Sequence, residues 1–245
     1  MTPEESYYND LLTQFGQLTT ATMILPVAVV MLKYRQFNQP IWAFWWFAVA
    51  TLFCSGLEVA FIWAVNAYKA FWSPYLSYWG IGDTHFLQII SYLCNFGLFG
   101  WCYSLLFVGK LRQYIRWTAL GLSVFALVDY VWLTGYKSPG VLIPIMNGLF
   151  TTLLPMFYLW FLGKSGQQVS FFQVPYVWFS LGFILLHLTT LLFYFVGAKL
   201  YETDFVLFVK ASFVRNVIMI IQNVFYAYGL WKTTYAKFIN PLSAD

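Results

Sequence analysis

Seven apolar runs fill the chain almost from end to end, at 10–32, 40–66, 85–108, 114–136, 140–162, 175–197 and 205–231, with short connections between them. A hydrocarbon layer about 30 Å thick needs roughly 20 apolar residues in a helix that rises about 1.5 Å per residue, and every run reaches that length. Backbone groups in lipid must be bonded internally, so the runs predict helices. A membrane barrel would instead show segments of about ten residues with alternating polarity, and none is present. The pattern therefore predicts an all-α membrane protein, a seven-transmembrane-helix bundle forming a single domain over 1–245. Pro26, Pro144 and Pro155 fall inside runs, where neighbouring helices can satisfy freed carbonyls, while Pro40 and Pro175 occupy first-turn positions that tolerate proline.

Composition agrees, with 61% hydrophobic and 9% charged residues and a mean hydropathy of +0.68, well beyond what a soluble core requires. Basic residues set the orientation. Lys33, Arg35, Lys110, Arg112, Arg116, Lys164, Lys232 and Lys237 fall at one end, Lys69, Lys137 and Lys199 at the other, and Lys210 and Arg215 within a run. The larger group belongs in the cytoplasm, which puts the N-terminus, with Glu4, Glu5 and Asp10, outside and the C-terminus inside. This bias accounts for the net charge of +4 and leaves no reason to expect nucleic acid as a partner.

Further absences narrow the field. The acidic start predicts that the first helix is retained as a signal anchor. The polar tail after Trp231 is too short for an output domain. Cys54, Cys94 and Cys102 lie inside runs, leaving no disulfide pair for the outer loops and reading as small packing residues. Walker-type and Rossmann-type glycine loops, HExxH and CxxC spacings are all missing. No catalytic residue, cofactor or metal is assigned.

The ionisable groups inside the runs are the candidate chemistry, because each costs roughly 2.5–3.5 kcal/mol to insert and is normally paired or functional. Counting about 1.5 Å per residue from the outer end places Lys210 at about 8 Å depth, Asp129 at about 10 Å, Glu58 at about 12 Å, and His187 and Arg215 at about 15 Å. Asn147 and Gln17, at about 10 Å, and Asn95, at about 15 Å, fall in the same slab. The inner half is mainly Leu, Phe, Trp and Val apart from Gln222, Asn223 and scattered hydroxyls. The asymmetry predicts a cavity open outward and closed inward, with ligand-binding candidates Glu58, Asn95, Asp129, Asn147, His187, Lys210 and Arg215. Glu58 or Asp129 is expected to pair with Arg215, which would hold an anion or carboxylate. Such groups also serve as interhelical struts, and a single histidine such as His187 is commonly a satisfied bundle residue.

Known chemistries of seven-helix proteins fit less well. A retinal Schiff base at Lys210 lacks an Arg and Asp set in the third run, and two histidines, His85 and His187, are too few for a three-histidine zinc lipid hydrolase. A three-plus-one-plus-three sugar transporter would match the helix number and the similar depths of Pro26 and Pro155, and small-solute transport stays open as the alternative. The connection 67–84, AYKAFWSPYLSYWGIGDT, has Tyr and Trp spacing suited to an interfacial segment that roofs the cavity or serves as an aromatic belt.

The KYRQF end of the first run, Glu58, the stretch FFQVPYVWFSLGFILLHLTTLLFYF and the closing RNVIMIIQNVFYAYGLWK resemble a group of bacterial seven-helix membrane proteins often found beside sensor histidine kinases. The resemblance implies a stand-alone sensing or accessory module of the bacterial cytoplasmic (inner) membrane, signalling by contact with a histidine-kinase-type cytoplasmic partner, and carries over no ligand. Together these observations predict a receptor-like protein that, embedded among membrane lipids, binds a small molecule or lipid in an outward pocket. The orientation is directly testable in a background without native thiols. A membrane-impermeant maleimide applied to intact cells should label Ser73→Cys and leave Ser170→Cys unlabelled, and the opposite pattern would contradict the charge argument.

Overall fold

A computed structural model of the chain describes residues 3–136, 140–165, 170–234 and 242, so Lys137 and Lys237 of the charge argument lie outside the described residues. Among the described residues, seven helices are long and apolar enough to cross a membrane: Leu11–Gln36, Gln39–Ala67, His85–Ser104, Gly109–Leu133, Leu142–Lys164, Pro175–Gly197 and Phe205–Thr234. They make the chain a multi-pass membrane protein, and they are called here the first to seventh spans. The described residues contain no strand beyond an isolated bridge between Phe107 and Leu242. One face of the bundle carries the 67–84 connection and is called the loop end; the face with Lys33, Lys110 and Lys164 is the basic end.

Local chemistry sets the span boundaries. Asn38 caps the second span by accepting from Ile41 N at 3.1 Å, with Pro40 in the first turn. Asp204 caps the seventh in the same way through Leu207 N at 2.9 Å. The third span ends at Ser104, short of the predicted 108, because Leu106 and Val108 pair with Leu242, whose side chain enters the core. Gly109, at φ 64, turns the chain directly into the fourth span. Within the connection at the loop end, Lys69–Trp79 forms a short helix that stops at Gly80, also at φ 64.

Three spans are irregular. The first is broken between the helices Pro3–Thr22 and Ile24–Lys33, because Pro26 has no N–H for the Thr22 carbonyl and its ring crowds that turn. The third widens into a π-helix over Cys94–Phe99, and the fourth does the same over Asp129–Leu133, where Thr134 N bonds the Asp129 carbonyl at 2.9 Å.

The first span packs against the second and seventh, the second against the third, the third against the fifth, the fifth against the sixth, and the sixth against the seventh. Six spans thus close a ring, and the fourth lies outside it against the third. The ring is tied together in its basic half by rings of another kind. Phe44, Phe99, Tyr103, Tyr158, Tyr176, Phe179 and Phe183 are all essentially fully buried. Their centroids approach to 4.5 Å for Phe99–Phe183 and 4.6 Å for Phe44–Phe179, within the range where aromatic pairs add about 0.5–1.5 kcal/mol beyond area burial. Tyr103 and Ser180 share a hydrogen bond of 2.9 Å inside this cluster.

Glycine lets the sixth and seventh spans close on each other. A Cβ at Gly229 would stand 2.5 Å from Phe179 Cε1 and 2.9 Å from the Pro175 carbonyl oxygen. Gly229→Ala should therefore destabilise the detergent-solubilised protein by about 1–3 kcal/mol as overpacking. Gly121→Ala, on an open helix surface, should be neutral or stabilising by up to about 1 kcal/mol. Equal thermal midpoints for the two variants would contradict this packing.

Candidate functional site: a central uncharged cavity

Immediately above the aromatic cluster, the side chains of the second and third spans become small. Ala48, Thr51 and Ser55 of the second and Ser91 of the third leave a central cavity of about 250 Å³. Every span except the fourth contributes to its wall, and the break in the first span brings Met23 and Pro26 to it. Phe47, Phe183 and Tyr226 form its floor and belong to the buried aromatic cluster as well. Asn95, Asn147, His187, Gln222 and Asn223 supply polarity, and no Asp, Glu, Lys or Arg lines the space.

Some of this polarity is already used. Asn223 Nδ2 donates to Thr22 Oγ1 at 2.9 Å, linking the seventh span to the turn where the first one breaks. The His187 ring stacks on Phe183 with centroids 5.8 Å apart. Other groups are unmet: Asn147 Oδ1 and the Tyr226 hydroxyl are buried without a hydrogen-bond partner. An unmet buried polar group costs about 1–3 kcal/mol, and both atoms belong to residues of the cavity wall. The volume matches about eight waters at roughly 30 Å³ each, or one small organic molecule.

The seven predicted site residues divide. Asn95, Asn147 and His187 meet in the cavity, on the third, fifth and sixth spans. Glu58 continues the cavity-facing stripe of Phe47, Thr51, Cys54 and Ser55 by one turn, which carries it about 6 Å further toward the loop end. There it is exposed and accepts from Thr84 Oγ1 at 2.6 Å. Arg215 stands one turn beyond the cavity-lining Met219 on the seventh span, its guanidinium 5.3 Å from the centre of the Phe193 ring and its Nε without a partner. The ion pair expected between Arg215 and Glu58 or Asp129 is absent among the described residues, where the acid–base contact is His85–Asp83 at 3.2 Å.

Asp129 is buried but elsewhere. It faces a pocket of about 30 Å³ with His85, Gln88 and Tyr92, and accepts from Thr134 Oγ1 at 3.0 Å. Its span packs outside the ring, which removes it from the centre. Lys210 is exposed beside an apolar groove with Tyr8, Leu11 and Phe213, and Gln17 is exposed on the first span. Depth counting assumed that all spans begin in one plane and ignored rotation about each axis.

From the sequence alone, Gln222 and Asn223 fall in the inner half, Cys54 and Cys94 read as packing residues, and nothing marks Tyr226 on its own. The 219, 222, 223, 226 spacing on the seventh span is a one-face helical stripe that would have grouped them. Among the described residues, no three His, Cys, Asp or Glu side chains come together as a metal site. No family model matches the chain, and no curated protein or solved structure does either.

The Asn223–Thr22 bond makes the break in the first span part of the cavity wall. Asn223→Leu and Thr22→Val should each lower thermal stability, and a double-mutant cycle should return a coupling of about 0.5–1.5 kcal/mol. Strict additivity would show that the two side chains do not support each other.

Proposed function

We propose that the chain is a receptor-like membrane protein whose central cavity binds a small, uncharged polar molecule or the uncharged polar part of a lipid. The observation that carries this reading is a cavity walled by the amides of Asn95, Asn147, Gln222 and Asn223, the His187 imidazole and several hydroxyls, with no charged residue in its lining. A charged guest would lose its hydration there without a counter-charge, whereas a neutral donor–acceptor molecule would bond the amides and hydroxyls of the wall. The site is therefore built on Asn95, Asn147, His187, Gln222 and Tyr226, in place of the Arg215-centred anion site expected from the sequence.

Tyr226 and Phe183 face the cavity and also pack in the aromatic cluster, their centroids 4.8 Å apart. A ligand that binds their two packing arrangements unequally shifts the population of the basic half of the bundle. A cytoplasmic partner of the histidine-kinase type would read that shift at the surface carrying Lys110, Arg116 and Lys164. A transport reading has its own support, since the broken first span and the π-helical third span line the same cavity, as interrupted helices do in alternating-access proteins.

A library of small uncharged polar compounds screened by thermal shift tests the site. Compounds that raise the melting midpoint of the wild-type protein should not move Asn147→Leu or the cavity-filling Thr51→Phe, and should act on Lys210→Gln as on wild type. An undiminished shift in Asn147→Leu would reject the cavity as the binding site. Uptake of such a compound into proteoliposomes by the purified chain alone would favour transport over sensing.

A further inference from the structure

The cavity wall holds an unusual share of the sulfur and imidazole of this chain. Two of the three cysteines, two of the six methionines and one of the two histidines line it. Cys54 of the second span and Cys94 of the third face each other with their Sγ atoms 3.9 Å apart, and both are half-buried, whereas Cys102 is fully buried elsewhere. The two are far apart in sequence, so no CxxC-type spacing announces them. They meet because Cys54 continues the cavity stripe of the second span and Cys94 opens the π-helix of the third.

We propose that Cys54 and Cys94 form a binding site for a soft monovalent metal cation, Cu(I) or its analogue Ag(I). The inference goes beyond the receptor reading and stands without it, since it rests on the two cysteines and makes no use of Asn147. Metal–sulfur bonds of about 2.3 Å place two sulfurs 3.9 Å apart when the angle at the metal is roughly 115°. That geometry is trigonal and leaves a third position on the cavity side. Cys54, Cys94 and His187 do not gather as a metal site, so the third donor is a thioether, from Met23 or Met219, or water. Thiolate and thioether donors select Cu(I) over hard cations, and a wall without carboxylates offers nothing to magnesium or calcium. The charge balances too: one S–H bond breaks and its proton leaves, two metal–sulfur bonds form, one from the resulting thiolate and one from the lone pair of the neighbouring neutral thiol, and the site stays neutral in an uncharged cavity.

The test uses the full-length, reduced protein in detergent under anaerobic conditions, with Cu(I) presented by a colorimetric chelator in excess. Wild type and Cys102→Ser should each withdraw one Cu(I) per chain, and Cys54→Ser and Cys94→Ser should each weaken binding by at least about tenfold. Bound Cu(I) should also protect the half-buried Cys54 and Cys94 from maleimide in the unmodified protein, while the fully buried Cys102 stays unlabelled with or without copper, a readout that needs no variant to fold. The proposal is overturned if wild type takes no Cu(I), if Cys102→Ser loses as much as Cys94→Ser, or if reduced protein ignores Cu(I) and air closes a Cys54–Cys94 disulfide. Asn147→Leu should retain Cu(I), so the organic-ligand reading and the cation site can fail separately.

Discussion

The arrangement depends on the aromatic cluster in the basic half of the bundle. Rings from the second, third, fifth, sixth and seventh spans interlock there at centroid distances between 4.5 and 6.3 Å, and they fix both the rotation and the depth of each helix. Lipid supplies no hydrophobic drive for helices to associate, so close packing and interhelical hydrogen bonds such as Tyr103–Ser180 must hold them. With rotation fixed in that layer, the residues one or two turns above have no freedom to choose a face. The small side chains Ala48, Thr51, Ser55 and Ser91 then cannot fill the space that the rings below define, and the polar groups of the opposing spans are left facing it.

The same constraint explains why the charged residues are not at the centre. Glu58 and Arg215 lie on the cavity-facing stripes of their helices, but one turn beyond the space, where Thr84 and the Phe193 ring receive them. Asp129 belongs to the one span that packs outside the ring. An uncharged interior joined to an aromatic floor is suited to a neutral guest and to transmission by repacking, and it is poorly suited to conducting ions.

Much of the fold was legible in the chain. The sixth and seventh spans begin at the predicted Pro175 and Phe205, and the others lie within a few residues of their apolar runs, because length and hydropathy alone decide whether a helix spans lipid. The break at Met23 follows from Pro26, which is visible in the sequence, but the π-helices at Cys94 and Asp129 leave no comparable mark. The site was legible only in part. Asn95, Asn147 and His187 were singled out because they are polar in an apolar run, and that rule finds buried polarity wherever it lies. It does not tell which helix packs outside the ring, nor that Cys54 meets Cys94, since both depend on tertiary rotation.

A polar, uncharged cavity sits on an aromatic floor, and the proposed guest would occupy it. An experimental density map of the protein in lipid nanodiscs tests it most directly. Ordered non-protein density, from water or a bound molecule, is expected in the cavity among Asn95, Asn147, His187 and Gln222, with Arg215 outside it. Side chains collapsed into that space, or Arg215 inside it and paired with Glu58 or Asp129, would contradict the account.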